Sequence, residues 1–183
     1  MTIVVDMDNV LCNLQEAVIN IFNERHGTHY TMEDFTDCDV AQVLPKNEAI
    51  LMKTMYGESN LYSNIKPLPG AQNAIEKLIN AGHQVYVVSD VIPKTYEEKV
   101  EWLRFYFPQI DDAHICAMKH KHMFKADIMI EDNMAHLLAS PYYHRICLNY
   151  PWNNNINDWA YSIFRCKNWN EIVAVVNEIS DGE

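Results

Sequence analysis

The chain has 183 residues, 49% of them hydrophobic, and a formal net charge of -11. This length suits one domain with room for a modest insertion, and the apolar fraction is sufficient for a packed core. The acidic balance excludes a nucleic-acid polymer as the expected partner, because binding a polyphosphate requires a basic surface.

The cysteines and apolar segments indicate where the protein is expected to function. The five cysteines are scattered and include no Cys-x-x-Cys pair, so neither a disulfide framework nor a zinc site is predicted. No apolar run approaches the length of a membrane span, and Asp6 and Asp8 interrupt the early apolar stretch that a signal peptide would need. We therefore expect a cytoplasmic protein with no membrane partner.

The first predicted element is a short strand, Ile3-Val4-Val5, followed directly by Asp6 and Asp8. A strand of apolar residues alone is typical of a parallel sheet that is covered on both faces. Because residues i and i+2 of an extended chain point to the same side, the two carboxylates should emerge together at the carboxyl end of the strand. Open α/β sheets place their chemistry at that end.

A helical insertion is predicted after this strand. Apolar residues recur there with the period of an amphipathic helix: Leu14, Ala17, Val18, Ile21 and Phe22. Residues 26 to 64 are mixed and polar, without a convincing strand, and the block is too long for a simple crossover. We interpret residues 14 to 65 as a small helical cap, and residues 1 to 13 and 66 to 183 as the core.

Strands and helices alternate regularly through the rest of the chain. Strands are predicted at residues 85 to 88 and at about 113 to 116, 127 to 130 and 145 to 149. Helices are predicted from Ala71 to Gly82, up to Pro108 with Tyr96, Val100, Leu103 and Phe107 on one face, and at about 169 to 179. This alternation predicts an α/β fold with a Rossmann-like, doubly wound parallel sheet.

Polar side chains follow three of the predicted strands. They are Asp6 and Asp8 after the first, Ser89 and Asp90 after the second, and Glu131 and Asp132 after the fourth, with Lys119 and Lys121 shortly before that strand. Each has an ordinary structural explanation by itself, as a helix cap, a solvated turn or an exposed lysine. Their occurrence together at strand ends favours one shared catalytic site.

These segments resemble the motifs of the haloacid dehalogenase superfamily. Asp6-Met7-Asp8-Asn9-Val10-Leu11 resembles its first motif, Ser89 its second, Lys121 its third and Glu131-Asp132 its fourth. More narrowly, three features resemble the 5'(3')-deoxyribonucleotidases: the short spacing from Lys121 to Asp127, the Pro67-Leu68-Pro69-Gly70-Ala71 segment and the Asn149-Tyr150-Pro151-Trp152-Asn153 segment. The resemblance covers nearly the whole chain, is thin across the insertion, and implies that the first, second and fourth strands lie side by side.

The resemblance implies a hydrolytic role for several of these residues. Asp6 would attack phosphorus and form an aspartyl-phosphate, while Asp8 would act first as general acid and then as general base. The phosphate would be bound by Ser89, Asp90, Lys119 and Lys121. Lys119 stands where an arginine is expected in the mammalian-type enzymes, so it would bind phosphate without bidentate geometry.

Mg²⁺ is the cofactor that the resemblance implies. Its ligands would be the carboxylates of Asp6 and Asp132 and the backbone carbonyl of Asp8, with Glu131 supporting them. These acidic groups would otherwise repel a phosphate dianion, so the cation is expected to be needed for binding as well as for catalysis. The sequence departs from the family pattern at Asn9, where glycine is common, and at Asp90, Lys119 and Glu131.

The substrate implied is a small phosphomonoester, most narrowly a nucleoside monophosphate. Leu61 and Tyr62 match the part of the family that faces the base. Five aromatic residues of the insertion could stack on a nucleobase: Phe22, Tyr30, Phe35, Tyr56 and Tyr62. The pattern selects neither a base nor a 5' or 3' phosphate.

Two other functions fit parts of the pattern. One is a phosphatase of the same superfamily that hydrolyses a phosphosugar or another small phosphomonoester. The other is a phospho-acceptor signalling domain, which also combines an acidic pocket, a hydroxyl group and a lysine on a doubly wound sheet. The signalling domain is disfavoured, because its phosphorylated aspartate would follow a middle strand and no insertion of this size would follow the first.

Overall fold

The structure is a computed structural model, and it describes residues 1 to 139, 143 to 155 and 157 to 182. Within these ranges six strands form one sheet, in which all neighbouring strands are parallel. The strands are β1 (Thr2–Val5), β2 (Gln84–Ser89), β3 (Ile115–Ala117), β4 (Ile128–Glu131), β5 (His144–Leu148) and β6 (Ile163–Cys166). Their order is β3-β2-β1-β4-β5-β6, which confirms the predicted doubly wound α/β fold.

Seven α-helices accompany the sheet in the described residues. They are α1 (Leu14–His26), α2 (Lys46–Met55), α3 (Ala71–Asn80), α4 (Tyr96–Tyr106), α5 (Met134–Leu138), α6 (Asp158–Tyr161) and α7 (Trp169–Asp181). Glycines at positive φ border α3 on both sides, with Gly70 at 84° and Gly82 at 86°. Both values lie in the left-handed region that favours glycine, so the limits of this helix follow from its sequence.

The register of the central strands brings the polar residues to one rim of the sheet. Val5 at the end of β1 pairs with Val87 of β2 and with Ile130 of β4. Since the three strands run in the same direction, their carboxyl ends meet at this rim. The backbone N–H of Asp6 donates to Ile130 O (3.0 Å), which extends the pairing by one residue past β1.

Apolar residues cover both faces of the sheet. Ile3 and Val5 belong to a large buried cluster, whereas Val4 between them belongs to a smaller one with Val88 and Met129. All three β1 residues are fully buried. Successive strand residues point to opposite faces, so burial of three consecutive residues in β1 requires a layer on each side of the sheet.

The segment proposed as a cap contains α1, α2 and three 3₁₀ turns, at Met32–Asp34, Val40–Gln42 and Leu61–Asn64. Its two ends lie close together, because Asn13 N donates to Lys66 O (3.3 Å) and Leu68 N donates to Leu11 O (2.8 Å). Closely spaced ends are what an insertion into a sheet domain requires. The limits at residues 14 and 65 stay a prediction.

Three details differ from the sequence-based expectations. The strand β6 is not predicted because Arg165 interrupts its apolar run, and the helices α5 and α6 are not predicted because they are too short to show a helical period. The buried face of α4 is formed by Lys99, Trp102 and Leu103, whereas Tyr96, which is predicted on that face, is 38% exposed. Among the helices described, none is long and apolar enough to span a bilayer.

Candidate active site

A crevice of about 240 Å³ lies at the rim where β1 and β4 end. The residues that line it are Asp6, Asp8, Asn9, Gln15, Cys38, Tyr56, Asp90, Lys121, Glu131, Asp132, Asn133 and His136. Six of them are sequence-predicted site residues, and they come from four separate parts of the chain. The parallel sheet therefore brings most of the predicted constellation into one pocket.

Asp6 follows β1 directly and is 6% exposed. Its Oδ1 atom accepts hydrogen bonds from Lys121 Nζ (2.7 Å) and from the backbone N–H of Met7 (2.7 Å). Burial and the negative charge of Glu131 raise the pKa of Asp6, and Lys121 only partly offsets them. Both donors reach the same oxygen, which leaves Oδ2 as the atom available to a substrate.

Lys121 is buried between two carboxylates. It is 2% exposed, and its Nζ lies 2.7 Å from Asp6 Oδ1 and 2.7 Å from Glu131 Oε2. Burial alone would lower the pKa of Lys121, but the two carboxylates outweigh burial and raise it. The amine is therefore charged at neutral pH and is held rigidly beside the nucleophile candidate.

Glu131 is fully engaged by protein donors. Its Oε2 contacts Lys121 and His136 Nδ1 (3.1 Å), and its Oε1 accepts from the backbone N–H groups of Asp132 and Asn133 (3.3 Å each). Burial would raise the pKa of Glu131, but Lys121 and His136 lower it well below its usual range. This side chain positions Lys121 and the start of the following loop.

Asp132 completes an acidic cluster. Ligand oxygens of Asp6, Glu131 and Asp132 lie within 4.8 Å of one another, and all three residues are buried. Asp132 Oδ2 accepts from Trp152 Nε1 (3.1 Å) and Asn9 Nδ2 (3.4 Å). Burial and the nearby carboxylates of Glu131 and Asp6 raise the pKa of Asp132.

The chemistry of this donor set fits a hard divalent cation. Three buried carboxylates face one buried ammonium group, so the cluster carries more negative charge than Lys121 can balance. Carboxylate oxygens are the ligands that Mg²⁺ prefers. Because Glu131 already accepts four hydrogen bonds, the carboxylates of Asp6 and Asp132 are the more available ligands.

Asp8 lies beside this cluster and accepts two strong hydrogen bonds. Its Oδ1 accepts from the hydroxyl of Tyr62 (2.8 Å), and its Oδ2 accepts from Lys99 Nζ (2.6 Å). Lys99 also donates to Ser89 Oγ (2.9 Å) and to the carbonyl of Asp90 (2.8 Å). Lys99 thus connects the ends of β1 and β2 and is a site residue that the sequence analysis misses.

A sequence signal for Lys99 does exist. It lies three residues before Trp102 and four before Leu103, and residues at these spacings share one face of a helix. A lysine in line with two buried apolar residues points inward, and Lys99 is indeed 4% exposed. The sequence analysis misses this signal because it centres the buried face of the helix on Tyr96 and Val100, and Lys99 is not part of that predicted face.

Four predicted site residues are not among those that line the crevice, and two of them, Ser89 and Tyr62, adjoin it through hydrogen bonds with Lys99 and Asp8. Lys119 is exposed and is not among the lining residues, and Leu61 is buried in the large apolar cluster. Of the aromatic residues proposed to stack on a base, Phe22 and Phe35 are core residues, whereas Tyr56 lines the crevice. Phosphate binding by Lys119 and base contact by Leu61 stay predictions.

Asn9 adopts the conformation that its glycine-like position suggests. Its φ is 57°, a left-handed value that asparagine tolerates better than most residues. Its side chain also bonds in two directions, accepting from Gln15 N (2.8 Å) through Oδ1 and donating to Asp132 Oδ2 through Nδ2. Asparagine therefore supplies contacts here that glycine could not.

Comparison with known sequences gives one matching family. Residues 1–179 match the family described as 5' nucleotidase, deoxy (pyrimidine), cytosolic type C. A 5'(3')-deoxyribonucleotidase of Bacillus subtilis is 30% identical over 172 residues, which cover 93% of this chain and 95% of that protein.

Solved structures give the same fold. A haloacid dehalogenase-like hydrolase of Streptococcus pneumoniae superimposes with a TM-score of 0.65 at 13% identity, covering 96% of this chain and 97% of the other. A hydrolase of the same superfamily from Deinococcus radiodurans, solved with bound phosphate and sodium, gives a TM-score of 0.59 at 15% identity, covering 97% and 95%.

Proposed function

The chain belongs to the cytosolic type C family of deoxy 5'-nucleotidases within the haloacid dehalogenase superfamily, and from this premise we propose that it hydrolyses nucleoside monophosphates with Mg²⁺. As a family member it is a phosphoric monoester hydrolase. The single observation that carries the finer proposal is the convergence of Asp6, Asp8, Lys121 and Asp132 on one crevice. The family description also supports the cytoplasmic location expected from the sequence.

The carboxylates of Asp6 and Asp132 would hold Mg²⁺, together with the backbone carbonyl of Asp8. When bound, the cation would supply positive charge to the phosphoryl oxygens and lower the pKa of the neighbouring carboxylates. Glu131 would keep Lys121 in place, and Lys121 would balance charge on the transferring phosphoryl group.

In the first displacement, Asp6 Oδ2 would form a bond to phosphorus while the bond from phosphorus to the leaving oxygen breaks. Asp8 would give its proton to that oxygen, so the leaving group departs as a neutral alcohol. Lys121 and Met7 N hold Oδ1 of Asp6, which orients the other oxygen for attack. Ser89 would donate its hydroxyl to a phosphoryl oxygen in place of the Asp90 carbonyl, and Lys99 would hold that hydroxyl in position.

In the second displacement, water would attack phosphorus and the bond to Asp6 would break. Asp8 would take the proton of the water, which returns both carboxylates to their starting states. Lys99 Nζ lies 2.6 Å from Oδ2 of Asp8 and would hold this side chain in place beside the attacking water. Tyr62 keeps the carboxylate oriented toward the crevice throughout.

The experiment is steady-state turnover of a panel of deoxynucleoside monophosphates and sugar phosphates by the wild type and by Asp6→Asn. We expect Mg²⁺-dependent release of phosphate from the nucleotides by the wild type and none above background by Asp6→Asn. Mass spectrometry after acid quenching should find a phosphate adduct on Asp6. Robust turnover by Asp6→Asn would remove the proposed nucleophile, and equal rates on sugar phosphates would favour the phosphosugar alternative.

A further inference from the structure

Gln15 lines the crevice, and the hydrolytic steps above do not use it. It is the second residue of α1 and only 8% exposed. Its backbone N–H donates to Asn9 Oδ1, and its side-chain Oε1 accepts from the hydroxyl of Tyr56 (2.6 Å). The side-chain Nε2 is buried and has no hydrogen-bond partner among the residues that the structure describes.

An unpaired buried amide donor destabilises a folded protein, because its hydrogen bonds to water are lost and nothing replaces them. At a crevice wall, a ligand that enters with an acceptor atom can satisfy the donor. Binding energy gained in this way discriminates between ligands, because a ligand without the acceptor leaves the amide unpaired. Gln15 Nε2 therefore has the properties of a specificity contact.

The neighbours of Gln15 indicate which part of a substrate it would meet. Phosphoryl transfer is proposed between Asp6 and the leaving oxygen beside Asp8, with Lys121 on the phosphate. Gln15 and Tyr56 belong instead to the insertion side of the crevice. A substrate whose phosphate lies against Lys121 must extend its leaving group toward these two residues.

Tyr56 determines which atom of the Gln15 amide is left without a partner. Its hydroxyl is hydrogen-bonded to Oε1, and burial raises the pKa of Tyr56, so the phenol stays protonated at neutral pH. A protonated phenol that donates to Oε1 directs Nε2 away from itself. The N–H groups of Nε2 are thus the amide donors that remain for a ligand in the crevice that Gln15 and Tyr56 line.

We propose that Gln15 Nε2 donates a hydrogen bond to an acceptor oxygen on the leaving alcohol of the substrate, and that Tyr56 positions the amide for this contact. This inference rests on the proposed nucleotidase function and adds a residue that would select the leaving group. The acceptor oxygen belongs either to the sugar or to a carbonyl of the base. Gln15 is a specificity-determining residue and Tyr56 a positioning residue.

The test compares Gln15→Met with the wild type on three substrates: deoxythymidine 5'-monophosphate, 2-deoxyribose 5-phosphate and phenyl phosphate. Phenyl phosphate has no acceptor oxygen beyond its ester group. We expect kcat/KM on the nucleotide to fall by about tenfold, the effect of one lost hydrogen bond, and kcat/KM on phenyl phosphate to be unchanged. An equal fall on deoxyribose 5-phosphate would assign the contact to the sugar, and no fall there would assign it to the base.

Two further variants complete the test, one for the positioning role of Tyr56 and one as a control. Tyr56→Phe should lower kcat/KM on the same substrates by a smaller factor, because the amide remains but is no longer oriented. Gln84→Met is the matched control, since Gln84 is exposed at the start of β2, the opposite end of that strand from Ser89. It should behave like the wild type on all three substrates.

Binding gives a readout that is independent of turnover. In an Asp6→Asn background, Gln15→Met should weaken calorimetric binding of deoxythymidine 5'-monophosphate by about tenfold. The melting temperature of Gln15→Met should change little, because the change removes an unpaired buried donor but also removes the acceptor of the Tyr56 hydroxyl, and the two effects oppose each other. Unchanged binding, or an equal loss on phenyl phosphate with a lower melting temperature, would overturn the inference. A wild type that turns over none of the substrates would defeat the proposed function, while the binding result would still decide the role of Gln15.

Discussion

Lys99 joins two strand ends through three short contacts, to Asp8, Ser89 and the carbonyl of Asp90. Its side chain is 5% exposed, so this ammonium group acts in a region largely shielded from water. Charge interactions strengthen when solvent is excluded. Lys99 can therefore influence both the orientation of Asp8 and the binding of a phosphoryl group near Ser89.

Replacing Lys99 with Met tests this influence. The methionine side chain has a similar length and no charge, so we expect the fold to survive while kcat/KM on a nucleoside monophosphate falls by about 100-fold. Most of the fall should appear in kcat, because the charge that develops during transfer loses its partner. Steady-state kinetics at saturating Mg²⁺ measures both constants.

The matched control for this prediction is Lys94→Met. Lys94 is exposed in the 3₁₀ turn just before α4 and lies outside the crevice, so its loss should leave both constants unchanged. Lys99→Arg should recover part of the activity, because it restores the charge with a different geometry. Wild-type kinetics in Lys99→Met would contradict the role assigned to the ammonium group.

Residue-level inference from the sequence works where a side chain follows a strand. Asp6, Asp8 and Asp132 can be located because the ends of parallel strands converge, whatever the details of the loops. Lys99 and Gln15 lie within helices, where their spacing from the strand ends carries no information. Contacts of that kind depend on how each helix rotates against the sheet.

At the scale of elements, the sequence predicts the central strands of the sheet and misses the edge strand β6. β1, β2 and β4 are continuous apolar runs because they are covered on both faces. β6 is short and carries Arg165 in its middle, so its pattern does not differ from that of a loop. The arginine has a structural reason, because it bonds to Asn153 and Asp158 beside the strand.

Asn153 connects this edge of the sheet to the acidic cluster through hydrogen bonds. It is 1% exposed, its Nδ2 donates to the carbonyls of Asp132 (2.9 Å) and Leu148 (2.8 Å), and its Oδ1 accepts from Arg165 (2.6 Å). We expect Asn153→Ala to lower the free energy of unfolding by about 2 kcal/mol, because several buried groups lose their partners. Urea denaturation measures the loss.

The neighbouring Asn154 provides the control for this element. It is exposed, so Asn154→Ala should change the free energy of unfolding by less than about 0.5 kcal/mol. Mg²⁺ affinity should also weaken in Asn153→Ala and not in Asn154→Ala, since only the first supports the backbone of Asp132. Equal stability of the two variants would show that the buried hydrogen bonds are replaced by water.

For the whole molecule, the concentration of acidic groups at one rim links metal binding to stability. A cation that binds the folded chain and not the unfolded chain stabilises it by about 2.7 kcal/mol at 100 times its dissociation constant. For a chain of this size we expect saturating MgCl₂ to raise the melting temperature by about 5 to 10 °C over EDTA. Differential scanning calorimetry at constant ionic strength measures the shift.

Two variants separate specific binding from general screening of the net charge. Asp132→Asn removes a proposed ligand and should abolish most of the Mg²⁺-dependent shift. Asp181→Asn removes an equal charge from the exposed end of α7 and should keep it. A similar shift in both variants would indicate that Mg²⁺ acts only through the overall negative charge.

Tyr62 belongs to the inserted segment, and its hydroxyl donates a hydrogen bond to Asp8 just after the first strand. Any outward swing of that segment must break this link before the crevice can widen. Asp8 Oδ1 would then lose its hydroxyl donor, while Oδ2 would keep its contact with Lys99. The orientation of the Asp8 carboxylate therefore depends on the position of the insertion as well as on the sheet that carries it.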